Sequence, residues 1–311
     1  SIGYQSLFRS SDGSNNTAIG YMSLFNSTYG SANTAIGSES LFSSTSGSRN
    51  TGSGFQVLFS NTSGYENTAI GFQALHSNTT GEYNTACGAE ALYSNTTGGY
   101  NTALGYRSES FSTNNNYCTF LGSDICSMES ISRTNSIGLG YGVFITADNQ
   151  VRIGNSSVSS IGGYVGWTNL SDERYKININ QDIPGLAFIT KLNPVSYNLN
   201  LSKLNNDLNI PDSVSSRSEL QKGIQEKSSI RYTGFLAQEV EQAAKSIGYD
   251  FSGVDAPKND VDMYGLRYAE FVVPLVKAVQ EQQAMIESQQ KTIDELRQMV
   301  LELKLELKTV K

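Results

Sequence analysis

A five-residue phrase returns along the first third of this chain at a fixed interval, and that interval limits what the chain can fold into. Asn16-Thr17-Ala18-Ile19-Gly20 recurs at 33–37, 50–54 (as NTGSG), 67–71, 84–88 (NTACG) and 101–105 (NTALG), each time 17 residues on. Cys118–Gly122 (CTFLG) keeps the register, and Ser1-Ile2-Gly3 fits one step earlier. After residue 122 the phase slips, first at Asn135-Ser136-Ile137-Gly138 and again near Ile153-Gly154. A period in this range marks stacked units, each too poor in apolar groups to bury a core alone.

Each unit reads roughly N-T-A-I-G-x-x-A/S-L-F/Y-S-N-T-T-G-x-x. The Ala-Ile pair and the following Leu-aromatic pair predict two short strands per unit. Gly and the Asn/Thr cluster supply the turns, because they accept left-handed backbone or bond to their own backbone. About nine rungs spaced about 4.8 Å apart predict a shaft of roughly 40 Å over residues 1–134. So little apolar content per rung suggests that three chains share one core. The exposed Tyr, Phe, Asn and Thr of each rung have two readings. They form a flank for a host receptor or glycan, or, more simply, the aromatics pack between rungs while Asn and Thr close turns. His76 fills a slot held elsewhere by Phe or Tyr, so it reads as an aromatic substitute. Asn26, Asn61, Asn78 and Asn95 begin Asn-x-Ser/Thr triplets that the repeat itself generates, and they read as turn residues.

Composition narrows the function. The net charge is -7, yet the charges are divided: residues 1–170 hold five Arg, no Lys and nine acids, leaving seventeen basic and twenty acidic residues downstream. Neither half carries a basic patch, which argues against nucleic acid as a partner. No apolar run reaches the length of a membrane span, so no membrane insertion is expected. The sequence reads as a fragment, with any anchoring segment placed before residue 1. Cys87, Cys118 and Cys126 are odd in number and lack metal-ligand spacing, and Cys87, standing where sister repeats have Ile, reads as a small apolar filler, so neither a metal nor another cofactor is expected. Residues 135–170 are Gly- and Ser-rich and read as a β neck, in which Trp167 is expected to pack at the seam.

From Ser171 the pattern changes. Helices are expected over 185–192 and 237–247, strands over 193–199, 232–236 and 264–268, and a polar loop or disordered insertion over 200–230. Ser171-Asp172-Glu173-Arg174-Tyr175-Lys176, Leu192–Tyr197 (LNPVSY), Gly234–Glu241 (GFLAQEVE) and Leu266–Glu281 (LRYAEFVVPLVKAVQE) stand in this order. These four motifs resemble the peptidase S74 domain, the C-terminal intramolecular chaperone of phage tail spikes and tail fibres. Upstream, the NTAIG units are similar to the head repeats of trimeric autotransporter adhesins. The first resemblance implies an α+β fold that works as a homotrimer, assembles the upstream fibre and then releases itself by cutting its own chain.

That chemistry has its own logic. A Ser hydroxyl is a weak nucleophile until a base takes its proton, and a neutral, desolvated Lys amine can serve. The resemblance implies Ser171 as nucleophile on the Leu170–Ser171 bond and Lys176 as general base. Asp172 and Arg174 are then orienting groups at the trimer seam. The spacing alone proves little, and the plain alternative is that Ser171 or Asp172 caps a turn while Lys176 is solvated. Phage members of that family carry an assisting histidine, and residues 171–311 hold none. Cleavage is therefore expected to be slow, helped by another residue, or absent while the folding role remains.

The C-terminus carries heptads. With Leu275 at a, the a positions are Leu275, Gln282, Gln289, Leu296, Leu303 and Val310, and the d positions Val279, Ile286, Ile293, Val300 and Leu307. Branched residues at most d positions favour more than two strands, so a trimeric coiled coil over 271–311 is expected, with Pro274 in its first turn. The expected architecture is thus a mainly β repeat shaft, a trimeric β-solenoid or β-roll, over 1–134 and a β neck over 135–170. An α+β chaperone domain over 171–270 and the coiled-coil helix follow. The expected function is a homotrimeric tail or surface fibre, on a virion or at a cell surface, whose C-terminal part is a single-turnover self-cleaving serine peptidase. The main alternative is an uncleaved surface adhesin with a permanent trimeric foot. A glycan-degrading enzyme lacks support, because the repeats offer no carboxylate pair outside the repeating pattern.

Overall fold

The computed structural model describes residues 1–127, 131–210 and 212–309. It divides into two compact units, one of residues 1–163, 199–230 and 259–262, the other of 164–198, 231–258 and 263 onward. In chain order, seven three-residue strands come first: β1 Thr17–Ile19, β2 Thr34–Ile36, β3 Thr51–Ser53, β4 Thr68–Ile70, β5 Thr85–Cys87, β6 Thr102–Leu104 and β7 Thr119–Leu121. Then come β8 Cys126–Ser127, β9 Ile137–Leu139, β10 Phe144–Ile145 and β11 Val151–Ile153. The remainder comprises α1 Leu186–Ile189, β12 Val195–Tyr197, α2 Leu201–Asp207, α3 Asp212–Ser215, α4 Ser218–Ser229, β13 Tyr232–Gly234, α5 Ala237–Lys245, β14 Val254–Asp255, β15 Gly265–Leu266 and α6 Val272–Thr309.

The first unit is a parallel β-solenoid. β1 to β7, β9 and β11 form one sheet in which Thr17 pairs with Thr34, Ala18 with Ala35 and Ile19 with Ile36, and so on up the stack. The sheet passes the phase slips, pairing Thr119 with Ile137 and Ile137 with Val151. The rungs of β1 to β6 hold one strand each, where the sequence suggests two; only after β7 and β9 does a second strand follow, β8 pairing parallel with β10. The Leu-aromatic segment is an arc in which left-handed residues alternate with their neighbours, as at Met22 (φ 50°) and Leu24 (φ 51°), and again at Gln56 and Leu58. The alternation turns successive amides up and down the shaft: Met22 N–H donates to Tyr4 of the rung before, Leu24 N–H to Ser40 of the rung after. Rung-to-rung hydrogen bonding is thus the same as in a sheet, without β backbone. The Gly after each strand is required twice over. Gly20 sits at φ 134°, and a Cβ there would lie 2.4 Å from the Gly37 carbonyl oxygen.

The core is completed within one chain, so shared burial among three chains is not needed to close it. Columns Ala18-Ala35-Ala69-Ala86-Ala103 and Leu24-Leu41-Leu58-Leu75-Leu92 are fully buried. What the sequence concealed is that polar residues finish the job. In the column Asn33, Asn50, Asn67, Asn84, Asn101, each Oδ1 accepts the N–H of the next Asn at 2.9–3.0 Å. Each Nδ2 donates to a main-chain carbonyl, that of a glycine for Asn33 to Asn84, as from Asn33 to Gly47 at 2.8 Å, and that of Asn115 for Asn101; from Asn50 on it also donates back to the previous Oδ1. Asn61, Asn78 and Asn95 form a second buried amide ladder, which fits their reading as turn residues. The aromatic column stacks face to face from Phe8 to Tyr93, with His76 at 5.2 Å from Phe59 and 5.0 Å from Tyr93. Those rings therefore use their faces on one another.

Residues 200–230 are not a loop. α2, α3 and α4 pack Leu201, Val214, Leu220 and Ile224 around Tyr141 of the last rungs. The apolar residues are sparse in the sequence but fall at helical spacing, and burial against the shaft repays their ordering. Arg217 reaches the buried Asp124 carboxylate at 2.9 Å and lies over the Tyr141 ring. Residues 259–262 join the same end, where Asp262 accepts from Thr146 Oγ1 at 2.7 Å.

In the second unit, β12 pairs antiparallel with β13, and β14 with β15. α5 covers Phe188, Phe251 and Phe271, whose rings meet at 4.8–4.9 Å. Among the described strands and α-helices of this second unit, β14 is the one that sequence reading did not place. α6 starts at Val272, with Pro274 in its first turn. Its Glu281 accepts from the Leu186 N–H that opens α1, at 2.7 Å. From Gln282 to Leu305 every side chain is exposed, including Ile286, Ile293, Leu296, Val300 and Leu303 of the expected seam. Val310 lies outside the described residues, as does the Leu307 side chain. Trp167 is 89% exposed, so within one chain it packs against nothing at the seam. Gly162, Gly163 and Gly166 leave it on a stretch with no strand partner.

Two measurements follow from these contacts. Arg217→Ala leaves the Asp124 carboxylate buried without its cation and is expected to cost about 1–2 kcal/mol, between the values for exposed and buried pairs. Chemical denaturation of the shaft beside Arg217→Met reads it. Burial holds the His76 imidazole below its ordinary value, so the folded shaft favours the neutral ring. Its contribution is complete above about pH 6.5 and declines as pH falls through that value toward the folded one. Melts at about pH 7 and pH 5 are expected to show a larger acid-induced drop in Tm for the native chain than for His76→Phe.

Candidate functional site

The segment 170–176 is built by a short capped turn. Asp172 has extended backbone and its carboxylate accepts the Arg174 N–H at 3.0 Å, which starts a 3-10 turn over Glu173–Tyr175. The same carboxylate takes both Nε and Nη2 of Arg174, a charge-assisted fork. That hydrogen bonding holds the Asp172 carboxyl below its ordinary range and the Arg174 guanidinium above its own. Arg174 also lies over the Tyr175 ring, 5.7 Å from its centroid. Lys176 N–H closes the turn on the Glu173 carbonyl at 3.0 Å.

The turn brings the ends of the motif together. Lys176 Nζ lies 2.9 Å from Ser171 Oγ. The capping expectation is met by Asp172, while Ser171 is left to meet the lysine. All four side chains sit on a segment with no buried residue from Ser159 to Gln181, and Leu170 is exposed too. Asp172 and Arg174 pair with each other, and their effect on Ser171 and Lys176 is to fix the turn between them. Sequence reading passed over two details: the Arg174–Tyr175 stack, and the left-handed φ of 54° at Asn178, a residue type that accepts this conformation. Past Lys176 the chain alternates Ile177, Asn178, Ile179 and Asn180, with both isoleucines exposed.

Chemically, a hydroxyl in contact with an amine is the arrangement needed for proton removal, provided the amine is neutral. An exposed ammonium holds its proton, and removal of water is what disfavours the charged form. Among the described residues no cluster of His, Cys, Asp and Glu has the arrangement of a metal site. The three cysteines are free, and burial pushes the Cys118 thiol up to about 11 and that of Cys126 higher still. Cys118 and Cys126 are poor nucleophiles on that account. No helix among the described residues is long and apolar enough to cross a membrane.

No curated protein and no solved structure matches this chain. The match that does exist begins at Ser171 itself and covers about a quarter of the chain: residues 171–249 fit the Peptidase_S74 family, described as the chaperone of endosialidase.

Proposed function

We propose that this chain is the distal part of a homotrimeric tail or surface fibre. Its C-terminal segment guides the shaft into register and then cuts the Leu170–Ser171 bond. The solenoid shaft followed by a Peptidase_S74 segment fits a phage tail-fibre-like protein. The observation that carries the cleavage reading is the 2.9 Å contact between Lys176 Nζ and Ser171 Oγ at the first residue of the family match.

The step needs no external cofactor. Lys176, once neutral, takes the Ser171 hydroxyl proton as Oγ attacks the Leu170 carbonyl carbon. The C–N bond breaks, the proton passes to the Ser171 nitrogen, and Leu170 is held as an ester on Ser171. Water then hydrolyses the ester, leaving a carboxylate on Leu170 and a free hydroxyl and amine on Ser171. Both side chains are exposed in one chain, and other copies are the source this reading assigns to the water exclusion that the chemistry requires. The α6 seam, exposed from Val279 to Leu303, is the surface that gathers them. Gathering three chains lowers the entropy cost of starting a long stacked structure. After the cut, slow unfolding keeps the shaft folded.

A second reading is favoured by the absence of histidine from residues 171–311: the segment stays attached as a trimeric foot of a surface adhesin. The virion or cell-surface setting, and a host receptor or glycan on the shaft, belong to both readings.

Intact mass and a denaturing gel of the freshly expressed chain beside Ser171→Ala and Lys176→Met separate them. The cleavage reading expects native fragments meeting at Leu170/Ser171, no cut in Ser171→Ala, and a rate at least about 100-fold lower in Lys176→Met. Light scattering is expected to give the same trimer mass for all three before cleavage. An uncut native trimer leaves the tethered foot; fragments from Ser171→Ala overturn the dyad.

A further inference from the structure

One face of the shaft is exposed, rich in apolar side chains and, from β1 to β7, free of charge. The strands bury their central Ala and present the flanking residues outward. Outside the Ala column stand Ile19, Ile36, Ile70, Leu104 and Leu121, each 38 to 51% exposed, with Cys87 and one polar residue, Ser53, in the same column. Two residues on, past the glycine, Tyr21, Phe55, Phe72 and Tyr106 add exposed aromatic rings in a second column whose other rungs hold Ser38, Ala89 and Ser123. A threonine column, Thr17 to Thr119, completes the face on the other side. At the last rungs Ile137 and Val151 replace the threonines, so the face becomes apolar across its width. None of the residues in these three columns from β1 to β7 is charged.

The charges lie along both edges. One edge carries the Glu39–Gln56–Gln73 hydrogen-bonded series and the Glu90–Arg107 ion pair. The other carries the Arg49–Glu66 pair. An uncharged apolar centre with polar rims is the anatomy of a protein interface.

We infer that this face is where copies of the shaft meet, with the Ile19–Leu121 column turned toward the axis of the trimer. The inference rests on the trimeric reading above and names the surface that reading requires. Three arguments select a second copy as occupant. In parallel copies around a three-fold axis, a column facing the axis meets its own counterparts at equal height, so an uncharged column is compatible with itself at every rung. A charged partner would find nothing to pair with inside the rims. The face also has the dimensions of a contact that needs help: about 13 Å by about 40 Å gives roughly 500 Å² per copy. That is short of the roughly 800 Å² per partner of an independently stable complex. The α6 seam supplies the rest, since its exposed Leu and Ile repeat is itself unpaired in one chain.

Cys87 provides a native reporter in the middle of the face, and Cys118 and Cys126 are buried. The full chain, made uncleavable by Ser171→Ala, is treated at low concentration with a short bis-maleimide. The expected product is a covalent dimer that disappears in Cys87→Ser. Lysine at two exposed neighbours, Ile70→Lys with Leu104→Lys, is expected to lower that product at least tenfold while the far-UV spectrum is unchanged. The same pair of lysines on the opposite arc, Thr62→Lys with Thr79→Lys, is expected to leave it intact. A chain that is trimeric by light scattering, but whose Cys87 reacts with a bulky maleimide as fast as a free thiol and forms no dimer, overturns this face. It would leave the trimer standing and point to an external ligand on the stripe. A monomeric full chain overturns the trimeric reading itself, and this face with it.

Discussion

The shaft depends on one constraint: every rung must offer its amides along the axis, in strand and arc alike. In the strands this is ordinary parallel pairing. In the arcs it requires residues such as Met22 and Leu24 to sit in left-handed backbone, at roughly 1 kcal/mol or more each. The cost is recovered because both neighbours in the stack are bonded, and an unpaired buried amide would cost more. From that constraint follow the 17-residue period and the glycine after each strand of the repeat, while the inward residue stays small from β1 to β6 and becomes Phe120 in β7.

How much of this was legible differs by element. The period alone gave stacking, the strand at Thr-Ala-Ile, and the role of His76, since a repeat declares which slot each residue occupies. It did not show that the Leu-aromatic segment is an arc, because hydrophobic residues in a fully bonded ladder look the same whether the backbone is β or alternates in hand. Nor did it show that a single chain closes the core. Asparagine reads as a turn former, and only the geometry reveals Asn33 to Asn101 as a buried amide column. The helices α2 and α4 were hidden for a related reason: Leu201, Leu220 and Ile224 are too few to signal a core until Tyr141 supplies the other half. At the candidate site, the motif placed Ser171 and Lys176, while the Asp172 cap that folds them together is a matter of backbone geometry. Trp167 misled because burial was inferred from residue type, where flanking glycines leave it without a neighbour in its own chain.

The two units handle exposed apolar surface differently. In the shaft it is confined to a stripe bordered by ion pairs, which suits contact between copies held at fixed height. In the second unit it lies along α6 as a heptad seam. Between them, residues 159–181 carry Ile161, Val165, Trp167, Leu170, Ile177 and Ile179 with no buried position. Exposed apolar side chains on an unpaired stretch that also holds the proposed scissile bond link the chemistry to whatever covers that stretch.

The asparagine column has a direction. Each Oδ1 accepts the N–H of the next Asn, one Nδ2 hydrogen goes forward to a main-chain carbonyl, and from Asn50 onward the other goes back to the previous Oδ1. The acceptors of the column therefore all look toward the C-terminal side, and the tip on that side leaves an Oδ1 without a donor, whereas the N-terminal tip leaves hydrogens without an acceptor. An open stack thus presents acceptors at one tip and donors at the other, so two stacks could join head to tail but never head to head. The acceptor tip is the one that precedes, in sequence, the family match at residues 171–249.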